Sequence, residues 1–273
     1  MFVCGVKRAG TYSSRTAVVT GAAGGLGACF ARKLAESGFD LLLIDCREEP
    51  LSLLAAELVE KYGVAAKAWP VDLTDDEAVK SVGAKLAETH NVELLVNNAG
   101  FGMANYFVDA AVDRHVDMIC VHVLAAVRLT HAVLPGMIER NRGAIVNLAS
   151  LSAWAPCAGD ISYSSTKAYL VAFSQGLQDE LRKTDIRIQA LCPGFVRTGF
   201  HAAKGMSGFD ARKAPRWVWM MPDDVVECSL RSLLSRQVIV TPGWRTSLLC
   251  RLMQMPVMQP IVRTLARQER APT

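Results

Sequence analysis

The sequence predicts an α/β fold: a doubly wound parallel sheet covered by helices on both faces, in three layers. Two observations carry this. Short β-branched or apolar runs alternate with segments at helical spacing along most of the 273 residues, which is the signature of repeated strand–helix units. Glycines and polar residues then gather where the runs end, and ligands of open parallel sheets bind beyond strand C-termini. A composition of 51% hydrophobic and 21% charged residues suits one large domain with a full core.

Composition also narrows the class. No run of about eighteen uninterrupted apolar residues occurs, so no transmembrane span is expected. Residues 1–14 carry Lys7 and Arg8 without a long apolar segment after them, unlike a secretory signal. The eight cysteines are scattered and mostly in apolar contexts, as at Cys29, Cys120 and Cys192, which points to buried thiols in a reducing cytoplasm. The five histidines are equally unclustered, so no metal site is expected. A net charge of +4 is too mild to imply nucleic acid.

In chain order, Arg15 to Thr20 is a β-branched run and reads as a buried strand. Thr20-Gly-Ala-Ala-Gly-Gly-Leu-Gly27 follows and leads into a helix from Ala28 to Ser37. Strand, glycine turn and helix start make an anion site, because glycines let the backbone approach a pyrophosphate and the helix N-terminus offers free N–H groups. Gly21, Gly25 and Gly27 are the close-approach positions, with Leu26 between them. Phe39 to Asp45 is the second strand. Asp45 lies about twenty residues past the glycines, where an acid holds a ribose 2′-hydroxyl and repels a 2′-phosphate. That favours NAD, with NADP possible because Arg47 offers a phosphate partner. Asp45 can equally be a solvated loop acid or a cap for the next helix.

Pro50 to Lys61 reads as a helix and Ala65 to Val71 as a strand, ending at Asp72, which is placed to touch an adenine. Thr74-Asp-Asp-Glu77 reads as a capping box that opens another helix. Val92 to Val96 is a buried strand. The Asn97-Asn98-Ala99-Gly100 that follows can bind backbone at the sheet edge. Met118 to Met137 is a long apolar helix, Gly143 to Leu148 a strand ending near Ser150, Pro222 to Ser235 a helix, and Val238 to Val240 the last strand.

Ile161 to Lys167 is where chemistry concentrates. Tyr163 and Lys167 are four apart and share one helix face. A phenol titrates near ~10 on its own, and a neighbouring ammonium favours the phenolate. The pair is therefore expected to be an acid/base tuned towards neutrality. The Ser150 hydroxyl, thirteen residues before Tyr163, can hold a substrate oxygen beside it.

Taken together, Thr20-Gly21-x-x-x-Gly25-x-Gly27, Asn97-Asn98-Ala99-Gly100, Ser150, Tyr163-x-x-x-Lys167 and Pro193-Gly194 with Thr198 resemble the short-chain dehydrogenase/reductase family, in its compact single-domain form. The resemblance runs from about Arg15 to Pro242. It implies a Rossmann fold, a nicotinamide cofactor, and hydride transfer between that cofactor and a ketone or secondary alcohol. It implies that Ser150 and Tyr163 bind the reacting oxygen, that Tyr163 transfers the proton, and that Lys167 binds the nicotinamide ribose and lowers the phenol pKa. It places Gly21, Gly25, Leu26, Gly27, Asp45, Asp72, Asn98, Tyr163, Lys167, Pro193, Gly194 and Thr198 around the cofactor. The long apolar helices, Asp109 to Met137 and Tyr163 to Leu181, would leave Leu124, Ala125, Ala126, Leu129 and Phe173 as apolar surface, which predicts a homodimer or homotetramer, and the resemblance implies the same. One position departs from the family. Val121-His122-Val123 stands where an Asn usually shapes the helix and holds a water of a proton relay behind the Lys. His122 can serve that relay, since imidazole both donates and accepts, or it can be a core histidine bonded to a backbone carbonyl.

Residues 195–221 form the variable substrate lid, rich in Phe200, Phe209, Trp217 and Trp219. Either they enclose a lipophilic or aromatic small molecule or they simply pack on the core. Residues 243–273 are a basic, apolar extension: five arginines stand against Glu269 for a net +4, so the remainder of the chain is neutral. Pro256 and Pro260 interrupt it. It is expected to pack from Trp244 onward as broken helix near the lid, narrowing the cleft. A subunit contact or an anionic membrane surface are the other readings. Against the oxidoreductase stands one alternative from another class, a nucleotide-binding regulatory or scaffold protein of the same fold that has lost turnover.

Overall fold

A computed structural model describes residues 15–89, 91–156, 158–202 and 218–254. Seven parallel strands form the sheet, in the order β3 (Ala66–Pro70), β2 (Asp40–Asp45), β1 (Thr16–Thr20), β4 (Val92–Asn97), β5 (Gly143–Leu148), β6 (Ile186–Leu191) and β9 (Ile239–Val240). The order reverses between β1 and β4, the switch point at which doubly wound sheets open a crevice. The strands read as near-continuous apolar runs because both faces are covered. Ala17, Val19, Leu41 and Leu43 point to the layer of α1 (Gly25–Glu36), α2 (Glu48–Tyr62) and α7 (Pro222–Ser232). Val18, Leu95 and Ile145 point to the layer of α3 (Asp76–Ala87), α5 (Ala125–Glu139) and α6 (Ile161–Glu180). The predicted fold class is the observed one.

Local details differ from expectation. The N-cap of α3 is Asp75, whose carboxylate accepts from the N–H groups of Glu77 and Ala78. Thr74 is not the cap; its N–H and hydroxyl donate to Asp72 Oδ1. The long apolar helix is continuous from α4 (Val112–Ile119) through a π-helical turn, Cys120–Leu124, into α5. Its length and composition would suit a membrane span, yet one face packs on β4, β5 and α3 as a core helix does. The face expected to be free is partly wrong: Ala125, Ala126 and Leu129 are buried on the sheet. The exposed large apolar side chains on this helix are Val112, Val116, Ile119, Leu124 and Ile138. On α6, Tyr169 stacks on Phe173 at 5.9 Å. A short parallel pair, β7 (Phe195–Val196) with β8 (Trp219–Met220), ties the two ends of the segment expected to be the lid. Phe209 and Trp217 lie outside the described residues. The extension begins as α8 (Trp244–Gln254), and the rest of it, with both prolines, lies outside them as well.

Polar bonds fasten the strands where they part. The Thr20 hydroxyl accepts from the N–H groups of Asn98 and Ala99, each at 3.0 Å, and donates to Val96 O. Asn98 Nδ2 donates to the carbonyls of Thr20 and Gly21. Gly21 has φ +64°, and a Cβ there would meet Ala99 Cα at 2.8 Å. A Cβ on Gly27 would collide with the Gly21 carbonyl and lie 2.6 Å from Asn98 Nδ2. We expect Gly27→Ala to push α1 off the turn and cost about 1–3 kcal/mol in denaturant unfolding, the usual range for overpacking. An unchanged midpoint would show that the turn has room to spare.

Candidate active site

At the C-terminal ends of the strands a single cleft of about 1130 Å³ runs from the glycine turn to α8. Every residue expected at the site except Gly27 lines it. Gly27 instead sets how closely α1 approaches the turn.

One end of the cleft fits a dinucleotide. The N-cap of α1 is Gly24 in extended backbone, with no side chain capping it, so first-turn N–H groups are left for an anion. Gly25, at φ +55°, lies under Thr198, 3.5 Å from where a Cβ would be. Leu26 lines the floor, and Pro193 O anchors the opposite side by accepting from Leu151 N. Asp72 is at the rim. Asp45 ends β2 as predicted, but its carboxylate is engaged. Oδ1 accepts from Arg47 N and Nε, and Oδ2 from Arg47 Nη2 and Ala23 N, all at 3.0 Å. Burial works against its charge, yet these bonds outweigh burial and hold the carboxyl below its ordinary value. The side chain of Arg47 is 57% exposed and its guanidinium extends over Gly24. This end of the cleft therefore presents a cation paired with a carboxylate, and not the open carboxylate that the spacing suggested.

The other end holds the reacting groups. Ser150 follows β5 and caps a short 3₁₀ turn, its hydroxyl accepting from Ser152 N and lying 3.0 Å from Ser152 Oγ. Tyr163 and Lys167 lie in the first turns of α6. Lys167 is buried, donates from Nζ to Leu148 O at 2.6 Å, and sits 5.4 Å from the centre of the Tyr163 ring. Here the electrostatics correct the sequence reading. Burial pushes the Tyr163 phenol above its ordinary value, Asp160 adds to the rise, and the hydrogen bond with Ser150 opposes it. Burial also draws Lys167 itself down, to about 7.

His122 is 2% exposed and both ring nitrogens are used. Phe101 N–H donates to Nε2 at 3.0 Å, and Nδ1 lies 2.9 Å from Thr166 Oγ1. Its partner is thus a backbone N–H and not a carbonyl. Burial, with Lys167 nearby, holds the imidazole well below its usual pKa. A Cβ on Gly100 would lie 2.7 Å from Nε2, so the last glycine of the Asn-Asn-Ala-Gly run makes room for this ring.

Sequence reasoning missed several contributors. Thr166 and Ser152 sit beside recognised residues, and their spacing from Tyr163 and Ser150 was the available signal. Arg47 was seen as a phosphate partner but not as the partner of Asp45. The extension from Trp244 was expected to narrow the cleft, and from α8 Leu248, Leu249, Leu252 and Met253 line it, with Thr246 Cγ2 3.5 Å from where a Cβ on Gly194 would be. The Phe200 ring lies 5.9 Å from the Tyr163 ring.

Comparison with known proteins places this geometry. The family model described as short chain dehydrogenase matches residues 15–206. A very-long-chain 3-oxoacyl-CoA reductase of Laccaria bicolor is 38% identical over 195 residues, which is 70% of this chain but 57% of that protein. The human inactive hydroxysteroid dehydrogenase-like protein 1 is 33% identical over 78% of this chain and 63% of its own length. The chain thus spans about three fifths of these two relatives. A short-chain dehydrogenase from Sphingobium yanoikuyae, solved in complex with NADPH, is 31% identical with a TM-score of 0.80, covering 94% of this chain and 98% of that one. The glycine turn, the sheet order and the match over most of its length agree: this chain belongs to the short-chain dehydrogenase family.

Proposed function

We propose that the protein is an NADP(H)-dependent reductase of a ketone borne on a long apolar chain, with 3-oxoacyl thioesters as the substrate class. The observation that carries this is the meeting of Ser150, Tyr163 and Lys167 in a large cleft whose apolar lining includes Met103, Phe200, Leu248, Leu249, Leu252 and Met253. A lining of that kind takes a lipophilic body and leaves a few polar groups to fix the reacting end. The Laccaria relative is named for a very-long-chain 3-oxoacyl substrate, which agrees with it.

When bound, the nicotinamide supplies hydride to the carbonyl carbon. The protein does the rest. Ser150 donates a hydrogen bond to the carbonyl oxygen and Tyr163 gives that oxygen its proton, so ketone becomes secondary alcohol. The phenol carries its proton at neutral pH, as a donor must. Lys167, held against Leu148 O, is placed to meet the nicotinamide ribose. The phosphate end is the first turn of α1, and Arg47 is placed for a 2′-phosphate because its pairing with Asp45 offsets that carboxylate's repulsion. The Sphingobium relative holds NADPH, in line with this reading. The alternative, a binding protein without turnover, draws on the relative named inactive; the intact Ser150, Tyr163 and Lys167 set favours the enzyme.

The exposed side chains of Val112, Val116, Ile119 and Leu124 on one helix and Tyr169 on another are apolar surface suited to a second copy of the chain. We expect light scattering at micromolar concentration to give a dimer or tetramer; a monomer would refute this. Tyr163→Phe should lower kcat for ketone reduction at least about 100-fold while NADPH still binds with little change, read by coenzyme fluorescence. Near-normal turnover would remove Tyr163 as the acid. Wild-type kcat/KM should favour NADPH over NADH by at least about tenfold, and Arg47→Ala should erase most of that ratio. An enzyme that prefers NADH would return the role to Asp45.

A further inference from the structure

The helix between β4 and β5 is interrupted by one π turn, and this turn carries an imidazole into the wall behind Tyr163. π turns inside α-helices recur at functional sites, because the extra residue redirects a side chain. Three observations define what this side chain does.

The first is donor accounting. Phe101 N–H can only donate, so Nε2 of His122 must present a lone pair. The proton of the neutral ring is then on Nδ1, and it is donated to Thr166 Oγ1. The Thr166 hydroxyl in turn donates to the Tyr163 carbonyl at 2.8 Å. A directed chain therefore runs from the loop after β4, through the imidazole, to the first turn of α6.

The second is where the chain ends. To pass a proton, an imidazole takes one from an acid on one nitrogen and releases another to a base from the other nitrogen. Here one partner is a peptide N–H and the other a threonine hydroxyl that ends on a peptide carbonyl. Neither is an acid or base near neutrality, and the phenol of Tyr163 is not a member of the chain.

The third is packing. The ring lies edge-on to Tyr163 at 5.8 Å and 80°, and to Phe101 at 5.7 Å and 65°. It occupies the space that a side chain on residue 100 would need.

We infer that His122 is a positioning residue: it couples the Phe101 loop to the first turn of α6, fixes the Tyr163 ring in the cleft, and moves no proton. The inference rests on the reading of Tyr163 as the acid. It gives the family position usually held by asparagine a mechanical task in this chain.

The test compares His122→Phe, His122→Gln, Thr166→Val and the double variant His122→Phe/Thr166→Val in the full chain. Misplacement of the acid by a fraction of an ångström predicts a kcat loss of about 10- to 100-fold in His122→Phe, with NADPH affinity and substrate KM within about twofold. His122→Gln can present its carbonyl to Phe101 N–H and should recover part of that loss, although an amide cannot shuttle protons. Thr166→Val should fall like His122→Phe, and the double variant should be little worse than either, because both cut one chain. The solvent isotope effect on kcat should be the same in all of them. Nitrogen NMR of the coenzyme-free protein at pH 7 should show His122 as the neutral Nδ1–H tautomer.

Wild-type kcat in His122→Phe would overturn the inference. So would His122→Gln as poor as His122→Phe together with an altered solvent isotope effect, which would make the ring a relay. Should His122→Phe fail to fold, Thr166→Val against wild type makes the same comparison. An active Tyr163→Phe enzyme would bring down the reading of the site itself; an inactive one beside an unimpaired His122→Phe would bring down this inference alone.

Discussion

The site depends on how two strands part. β1 and β4 are neighbours in the sheet, yet the chain leaves them in different directions, and the cleft exists because it does. Parting exposes peptide groups that must find partners. The Thr20 hydroxyl and the Asn98 amide supply them, binding across the gap from both sides. With those bonds made, the Gly21 carbonyl, Ala99 and Gly27 come so close that none of the glycines in the contact can carry a side chain. The start of α1 and the loop carrying Phe101 are fixed relative to each other as a result. The phosphate end of the cleft and the wall behind Tyr163 share this foundation.

Burial then sets the chemistry. Desolvation disfavours the charged form of every titratable group. In this cleft it raises the phenol, lowers the amine of Lys167 to about 7 and keeps His122 neutral. Burial thus moves the phenol away from neutrality and the amine beside it towards neutrality. Asp45 shows the opposite outcome of the same competition. It is buried too, but several bonds converge on its carboxylate, and charge survives because it is paired.

The parallel sheet was legible because strands buried on both faces carry little but apolar side chains, as in Val92–Val96 and Gly143–Leu148. The glycines were legible because a tight turn leaves them no substitute. β6 was not delineated, since Arg187 and Gln189 interrupt its apolar pattern, and β7 and β8 are too short to have one. Asp45 and Arg47 are two residues apart, and whether they pair or diverge depends on the turn at Cys46, which composition does not encode. His122 meets Thr166 across 44 residues and meets Gly100 through an empty Cβ position; no local pattern announces either. The free face of the long helix was misread because alanines at 125 and 126 suit a core and a surface equally well. The lining of the cleft by α8 could be anticipated only from the spacing of its leucines.

The central claim is that this cleft reduces a ketone, and isotope transfer tests it most directly. The full chain would be mixed with NADPH deuterated at the reactive nicotinamide carbon and with 3-oxoacyl thioesters of increasing length, and the products read by mass spectrometry. The account predicts 3-hydroxyacyl products carrying one deuterium at the carbinol carbon, formed more efficiently as the chain lengthens. Tight NADPH binding with no deuterium in any product, across these thioesters and a panel of bulky ketones, would contradict it.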